Sequence, residues 1–209
     1  MNDIAIVDYG AGNNQSVRNA FTMAGADPVM ATTPEQVIAA DRLVIPGVGA
    51  ANRAIAWIRE RHLDEALTEV VRKRGRPALG ICLGMQIAAS NLHEYGENDG
   101  LGWFDGDVVD IHGIEGIDGR IPHMGWNDVA PADGAAEMFK SIRGSRSFYF
   151  CHSYSVRGAR AGTIAATVEL GATLVAAMCD GTFFATQFHP EKSQLNGQRL
   201  IENFLDWSP

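Results

Sequence analysis

The 209-residue sequence has little positive charge, few cysteines and no long apolar run. Its 17 lysines and arginines are outnumbered by 25 aspartates and glutamates, which gives a formal net charge of −8. A nucleic-acid-binding protein needs a basic face to displace phosphate counterions. The densest basic cluster, RKRGR at 72–76, is typical of a solvated helix end. The sequence therefore predicts no nucleic-acid ligand.

Metal and disulfide patterns are also missing. The cysteines are Cys82, Cys151 and Cys179, an odd number without zinc or disulfide spacing. No two histidines are three or four residues apart, which disfavours a metal site. The G-x-G of YGAGN at 9–13 lacks the third glycine of a dinucleotide-binding loop, because Gln15 stands there. We therefore expect no metal and no cofactor.

No apolar segment is long enough to span a membrane, and no signal-peptide pattern is visible. These two absences predict a cytoplasmic protein with no membrane contact. The length suits one domain, residues 1–209, with a core large enough to be stable without cross-links.

What is present is an α/β pattern. Short apolar runs at 4–7, 42–45 and 77–81 are typical of buried strands, and segments with helical periodicity lie between them. This alternation predicts a mostly parallel central sheet with helices on both faces. Beyond residue 100 strand-like segments follow one another with few helices, which predicts an antiparallel portion. A final amphipathic helix is expected over QLNGQRLIENFLDW.

Cys82 lies where the third of these strands turns into a helix-like segment, in the sequence GICLGMQ at 80–86. Gly80 and Gly84 flank it with the spacing of a nucleophile elbow, in which small neighbours let a tight bend present the central side chain. The N-terminus of the following helix favours a thiolate. A buried structural cysteine between packing glycines is the alternative interpretation of this stretch alone.

A thiolate nucleophile needs a proton carrier and a group that orients it. His189 and Glu191 in TQFHPEKS are two residues apart, so in an extended chain their side chains would leave the same face. A carboxylate beside an imidazole fixes the tautomer and stabilises the imidazolium. We therefore expect His189 to be the base and Glu191 its orienting acid.

Backbone amides that could stabilise an oxyanion are expected at two places. PGVG at 46–49 follows a strand parallel to the one that bears Cys82, so Val48 or Gly49 could donate one N–H. Leu83, directly after the nucleophile, could donate the other. The two glycines would also let the turn reorient with little steric cost and so change which N–H faces the oxyanion.

Taken together, these segments resemble the class I glutamine amidotransferases, and within them the glutaminase subunits of imidazole glycerol phosphate synthase. The resemblance covers nearly the whole chain. It is carried by DYGAGN at 8–13, PGVGA at 46–50, LGICLGMQ at 79–86, PHMGWN at 122–127, YFCHSY at 149–154 and QFHPEKS at 187–193.

The resemblance implies hydrolysis of glutamine to glutamate and ammonia by the triad, and transfer of the ammonia to a cyclase subunit with a (β/α)₈ barrel. That heterodimer would make imidazole glycerol phosphate and aminoimidazole carboxamide ribotide in histidine biosynthesis. The residues implied to hold glutamine are Gln86, His152, Ser153 and Tyr154, and those implied at the partner interface are Asn13, His123, Met124, Trp126 and Lys192.

Two alternatives stay open at this point. A paralogous glutaminase could feed ammonia to a different synthase, because the sequence departs from the family pattern in places, such as Cys151 where valine is common. A catalytically silent binding subunit is the second alternative, and the complete set of Cys82, His189 and Glu191 argues against it.

Overall fold

The chain folds around two β-sheets, seen here in a computed structural model that describes residues 4–10, 13–135 and 137–209. The strands in these residues are β1 (Ile4–Val7), β2 (Val29–Ala31), β3 (Arg42–Ile45), β4 (Ala78–Ile81), β5 (Ala89–Leu92), β6 (Asn98–Asp99), β7 (Phe104–Asp110), β8 (His123–Pro131), β9 (Ser147–His152), β10 (Tyr154–Arg157), β11 (Ile164–Leu170), β12 (Ala172–Asp180) and β13 (Phe183–Thr186).

Helices lie mainly in the first half of the chain and at its end. The α-helices are α1 (Asn14–Met23), α2 (Pro34–Ala39), α3 (Ala51–Glu60), α4 (Leu63–Thr68), α5 (Leu83–Gln86) and α6 (Gln194–Asp206). A π-helical turn at Glu69–Lys73 continues α4, and a 3-10 turn at Pro190–Lys192 precedes α6. His62, with φ 54°, separates α3 from α4.

The larger sheet has nine strands in the order β2-β1-β3-β4-β13-β12-β11-β8-β9. From β2 to β13 the neighbours are parallel, and from β13 to β9 they are antiparallel. The smaller sheet has the order β10-β7-β5-β6. The predicted α/β class, with a parallel part and an antiparallel part, is confirmed.

Helices cover both faces of the parallel part, as predicted. Along β1, Ala5 and Val7 pack into a core with α2, α3 and α4, whereas Ile4 and Ile6 pack into a second core with α1 and α6. This division follows from the strand period of two, which sends successive side chains to opposite faces. In the second core the rings of Phe21 and Phe204 meet edge to face at 6.2 Å.

Three details differ from the sequence prediction. PHMGWN lies largely in β8, where large apolar residues (Met124 and Trp126) occupy exposed positions and polar ones (His123 and Asn127) face inward, so the residue types hide the alternation that predicts strands. Strands β5 and β6 follow the nucleophile elbow, where a helix was expected. The elbow helix α5 is consequently only four residues long, because the chain enters β5, which pairs with β7, almost at once. Among residues 4–10, 13–135 and 137–209 we find no helix with the length and hydropathy of a membrane span.

Candidate active site

Cys82 lies at the carboxyl end of β4, between that strand and α5, with φ 51° and ψ −100°. A positive φ is uncommon for a residue with a side chain, and backbone strain of this kind concentrates at functional sites. The bend is held by a bond from the Cys82 amide to the Thr186 carbonyl of β13, 2.7 Å long. A Cβ on Gly84 would meet the carbonyl oxygen of Ile45, so only glycine lets α5 approach β3 this closely.

His189 and Glu191 meet beside this bend. The distance between His189 Nδ1 and Glu191 Oε1 is 2.7 Å, and the side chains are 1 % and 0 % exposed. The contact forms across the 3-10 turn at Pro190–Lys192 rather than along an extended chain, which corrects the geometry expected from sequence. His189 is anchored to β9, because its amide donates to the Tyr149 carbonyl.

The electrostatics of this pair favour an imidazolium. Burial acts to lower the pKa of His189, but hydrogen bonds and charge interactions with Cys82 and Glu191 outweigh burial and raise it to about 10. Burial acts to raise the pKa of Glu191, yet the His189 contact and a bond from Asn13 keep it below its ordinary value. The site therefore holds a charged carboxylate and a protonated imidazole next to the sulfur.

Asn13 lies in this cluster rather than on the surface. Its Nδ2 donates to Glu191 Oε1 over 2.6 Å, and the residue is half-buried. The partner-contact role expected for Asn13 therefore has a second interpretation, because its amide already orients the acid. Nothing in the sequence marks this contact, since the two residues are 178 positions apart.

The oxyanion candidates line the same cavity as Cys82. Val48, Gly49 and Leu83 all border it. A Cβ on Gly47 would lie 2.7 Å from Leu83 Cβ and would also meet the Tyr9 hydroxyl, while Gly49 has φ 102°, a value that favours glycine. The two glycines of the turn are thus needed for different reasons, namely close approach and backbone conformation.

This cavity has a volume of about 510 Å³. The residues predicted to hold substrate, namely Gln86, His152, Ser153 and Tyr154, all line it, together with Cys82 and His189. A cavity of this size accommodates a small amino acid. Sequence reasoning missed Glu94, which also lines the cavity and whose Oε2 accepts from the Ala51 amide over 2.6 Å.

Gln187 was also missed. It is fully buried, and its Nε2 donates to Cys82 Sγ over 3.5 Å while its Oε1 accepts from Gln86 Nε2 over 3.2 Å. It stands two residues before His189 in the same motif, so the only available signal was a polar residue next to an otherwise buried strand, β13. It links the nucleophile to one of the predicted substrate residues.

The predicted interface residues fall into two groups. Met124 and Trp126 are 60 % and 45 % exposed on the outer side of β8. Trp126 contacts the ring of Tyr149 edge to face at 6.0 Å, and Lys192 Nζ lies 6.0 Å from the same ring. We call Met124, Trp126, Tyr149 and Lys192 the aromatic patch.

His123 does not belong to that surface. It is 4 % exposed and points inward, where its ring stacks on Phe150 with 4.6 Å between ring centroids. Strand alternation sends the side chains of His123 and Met124 to opposite faces, so partner contact at His123 stays a prediction, and its burial favours it less than the exposure of Met124 does. Within residues 4–10, 13–135 and 137–209 no group of three or more His, Cys, Asp or Glu side chains could hold a metal ion.

Comparison with known families and relatives places the chain. The family model for "Glutamine amidotransferase class-I" matches residues 5–207. The imidazole glycerol phosphate synthase subunit HisH of Ruegeria pomeroyi is 44 % identical, over 98 % of this chain and 99 % of its own length. The subunit of the same name from Methylococcus capsulatus is 40 % identical, over 100 % and 98 %.

Solved structures agree on the fold. A crystal structure described as a glutamine amidotransferase has a TM-score of 0.75 at 21 % identity, covering 97 % of each chain. The glutaminase domain of Trypanosoma brucei CTPS with bound acivicin has a TM-score of 0.70 at 19 % identity, covering 98 % of this chain and 92 % of its own. At such identities the likeness shows the fold alone.

Proposed function

The chain belongs to the class I glutamine amidotransferases, among the HisH subunits of imidazole glycerol phosphate synthase, and we propose that its Cys82, His189 and Glu191 hydrolyse glutamine to glutamate and ammonia. The observation that carries this proposal is the contact series from Cys82 and His189, which line the cavity, to Glu191, which is fully buried against His189. The ammonia is used in histidine biosynthesis.

The first step is attack of the Cys82 thiolate on the side-chain carboxamide carbon of glutamine. His189, protonated at rest, donates its proton to the departing ammonia, which leaves a glutamyl thioester. The neutral His189 then accepts a proton from water, and the resulting hydroxide equivalent attacks the thioester. Glutamate leaves, and the imidazolium and thiolate are restored. Glu191 stabilises the imidazolium throughout.

The oxyanion formed in both steps needs two donors. The amide of Leu83 follows the nucleophile directly, and the turn at 46–49 supplies Val48 or Gly49 from the neighbouring parallel strand. Glutamine itself would be held by Gln86, His152, Ser153 and Tyr154. Glu94, as a carboxylate at the cavity wall, suits the substrate ammonium group.

The partner we propose is a cyclase subunit with a (β/α)₈ barrel. The chain itself has one constellation suited to catalysis in its described residues, so ammonia must be consumed by another polypeptide. The aromatic patch fits an interface, since tryptophan and tyrosine are enriched at binding hot spots. We place this heterodimer in the cytoplasm.

The test is a coupled assay of the complex. The purified chain, mixed with the cyclase subunit and its ribonucleotide substrate, should release one glutamate for each imidazole glycerol phosphate formed from glutamine. Ammonium at high concentration should replace glutamine without this chain. Product formation from ammonium alone, with no glutamate released from glutamine, would refute the proposed glutaminase.

A further inference from the structure

Two buried histidines lie at the cavity wall, and neither transfers a proton in the proposed mechanism: His152 lines the cavity, and His123 lies directly behind it. His123 of β8 and His152 of β9 face each other directly in the antiparallel register. Their rings are joined by a contact of 2.9 Å between His123 Nδ1 and His152 Nε2, and both residues are at most 6 % exposed. Buried polar side chains of this kind need fixed partners.

The partners determine the tautomer of each ring. His152 Nδ1 lies 2.8 Å from the Tyr154 carbonyl oxygen, which can only accept, so this nitrogen carries the proton. In the neutral ring Nε2 then accepts, so His123 donates from Nδ1. His123 Nε2 in turn accepts from Asn127 Nδ2 over 2.9 Å. Every ring nitrogen is satisfied with both histidines neutral.

Burial keeps them neutral. It lowers the pKa of His152 to about 3, although the bond with the Tyr154 carbonyl acts in the opposite direction. Burial also lowers the pKa of His123. The chain of bonds is therefore made of neutral groups with fixed donor directions.

The same Tyr154 carbonyl connects this pair to the nucleophile. It accepts a second bond, from Gln86 Nε2, over 3.0 Å. Gln86 also donates to Gln187, and Gln187 donates to Cys82 Sγ. An unbroken series of hydrogen bonds thus runs from Asn127 to the sulfur. It cannot conduct a proton, because the carbonyl at its centre has none to pass on, and its role is positional.

The outer end of the series is on the strand that carries the aromatic patch. His123 and Asn127 point inward from β8, while Met124 and Trp126 point outward from the same strand. A displacement of β8 by anything bound to its outer face would therefore shift His123.

We propose that His123 and Gln187 are positioning residues that tie the orientation of Cys82 to the placement of β8, through His152, the Tyr154 carbonyl and Gln86. This inference rests on the proposed function in two respects. That function makes Cys82 the nucleophile, and it makes the outer face of β8 the side that meets the partner. According to this proposal, the buried residues His123 and Gln187 transmit partner contact at β8 to the sulfur of Cys82.

The test measures alkylation of Cys82 by iodoacetamide in the full-length chain, followed by mass spectrometry of the labelled peptide, with Cys179 as reference in the same sample. His123→Leu removes both hydrogen bonds of the His123 ring. Gln187→Met keeps a side chain of similar length but has no group that donates to the Cys82 sulfur. Each should slow Cys82 alkylation about two- to tenfold, the effect of one net hydrogen bond. In the double variant the loss should be no larger than that of the more affected single variant.

Two further variants separate positioning from simple destabilisation. His123→Asn keeps a donor near the position of Nδ1 and should recover at least half of the lost rate. Val129→Ala removes buried volume from the same strand without touching the series, and should leave the Cys82 rate within about twofold.

Independent, multiplying effects in the double variant would overturn the proposal, as would equal rates for His123→Asn and His123→Leu. Alkylation needs no glutamine. A complex that releases no glutamate would therefore refute the proposed function, while the alkylation series still decides whether His123 and Gln187 act together.

Discussion

The cavity around Cys82 and the aromatic patch hold their side chains in opposite ways. In the cavity, charged groups are buried and joined at hydrogen-bond distance, as His189 and Glu191 are at 2.7 Å. In the patch, Met124 and Trp126 are 60 % and 45 % exposed, and Trp126 has one edge contact with Tyr149. The side chains of the cavity are thus held by contacts within the chain. The aromatic patch is exposed and would be buried by a second protein.

This contrast predicts where substitutions act. Changes in the cavity should abolish chemistry without affecting association, and changes in the patch should weaken association while leaving the triad intact. Each experiment below tests one side of that division.

The largest effect is expected at the nucleophile. Cys82→Ala should lower glutamine-dependent product formation by about 10⁶-fold, because no thioester can form. Ammonium-dependent synthesis by the complex should be unchanged. A glutamine-mimicking diazo-ketone should label Cys82 alone, with Cys151→Ala as the matched control because Cys151 also lines the cavity. Labelling of Cys151 in the intact chain would contradict the assignment.

The base and its orienting acid should differ in effect. His189→Ala should cost about 10⁴-fold in glutaminase turnover, since both proton transfers are lost. Glu191→Gln should cost less than His189→Ala, because it keeps a hydrogen-bonding group but gives up the charge that stabilises the imidazolium. Steady-state glutamate release with the cyclase subunit present measures both. Near-normal turnover of His189→Ala would remove it from the mechanism.

Binding of the cyclase subunit should raise the rate of glutamine hydrolysis in the cavity. We expect the isolated chain to hydrolyse glutamine about 10²–10³-fold more slowly than the complex, the effect of one missing oxyanion donor. The turn at 46–49 is the element able to supply that donor, since Gly49 already has φ 102°. The check is glutamate release before and after addition of the cyclase subunit and its ligand. Equal rates would rule out activation by association.

A smaller effect is expected in the patch. Trp126→Ala should weaken association about 30-fold, as loss of an aromatic hot spot does, and should uncouple glutamate release from product formation. Titration calorimetry and product-to-glutamate ratios measure the two effects. Val29→Ala removes an exposed apolar side chain from β2, at the other end of the sheet, and should change neither. Tight binding and full coupling in Trp126→Ala would exclude the patch as the interface.

The sequence was informative where structure is local. Four-residue apolar runs such as IAIV mark the parallel strands, and two glycines around Cys82 mark the elbow, because each pattern fits one geometry. The sequence was uninformative where contacts are distant. Strand β8 is defined by pairing with β9 and β11, and the bonds of Asn13 and Gln187 to the triad join residues 178 and 105 positions apart.

The smallest expected effect concerns the pH dependence of stability. The pKa of His189 is raised from 6.5 to about 10 in the folded chain, so proton binding favours folding. This contribution is complete below about pH 6.5 and is lost as the pH rises through about 10. The pKa of Glu191 is lowered, so its contribution is present above the ordinary value of 4.5 and is lost as the pH falls below it.

Wild type should therefore be more stable than His189→Asn at pH 7, and the difference in unfolding free energy should shrink by about 1–4 kcal/mol at pH 10.5. Urea unfolding at both pH values measures it. The matched control is His62→Asn, an exposed position with φ 54° where asparagine is tolerated, and it should show no such change. If the difference in unfolding free energy between wild type and His189→Asn is the same at both pH values, His189 is neutral in the folded chain. The cavity would then be organised by shape rather than by charge.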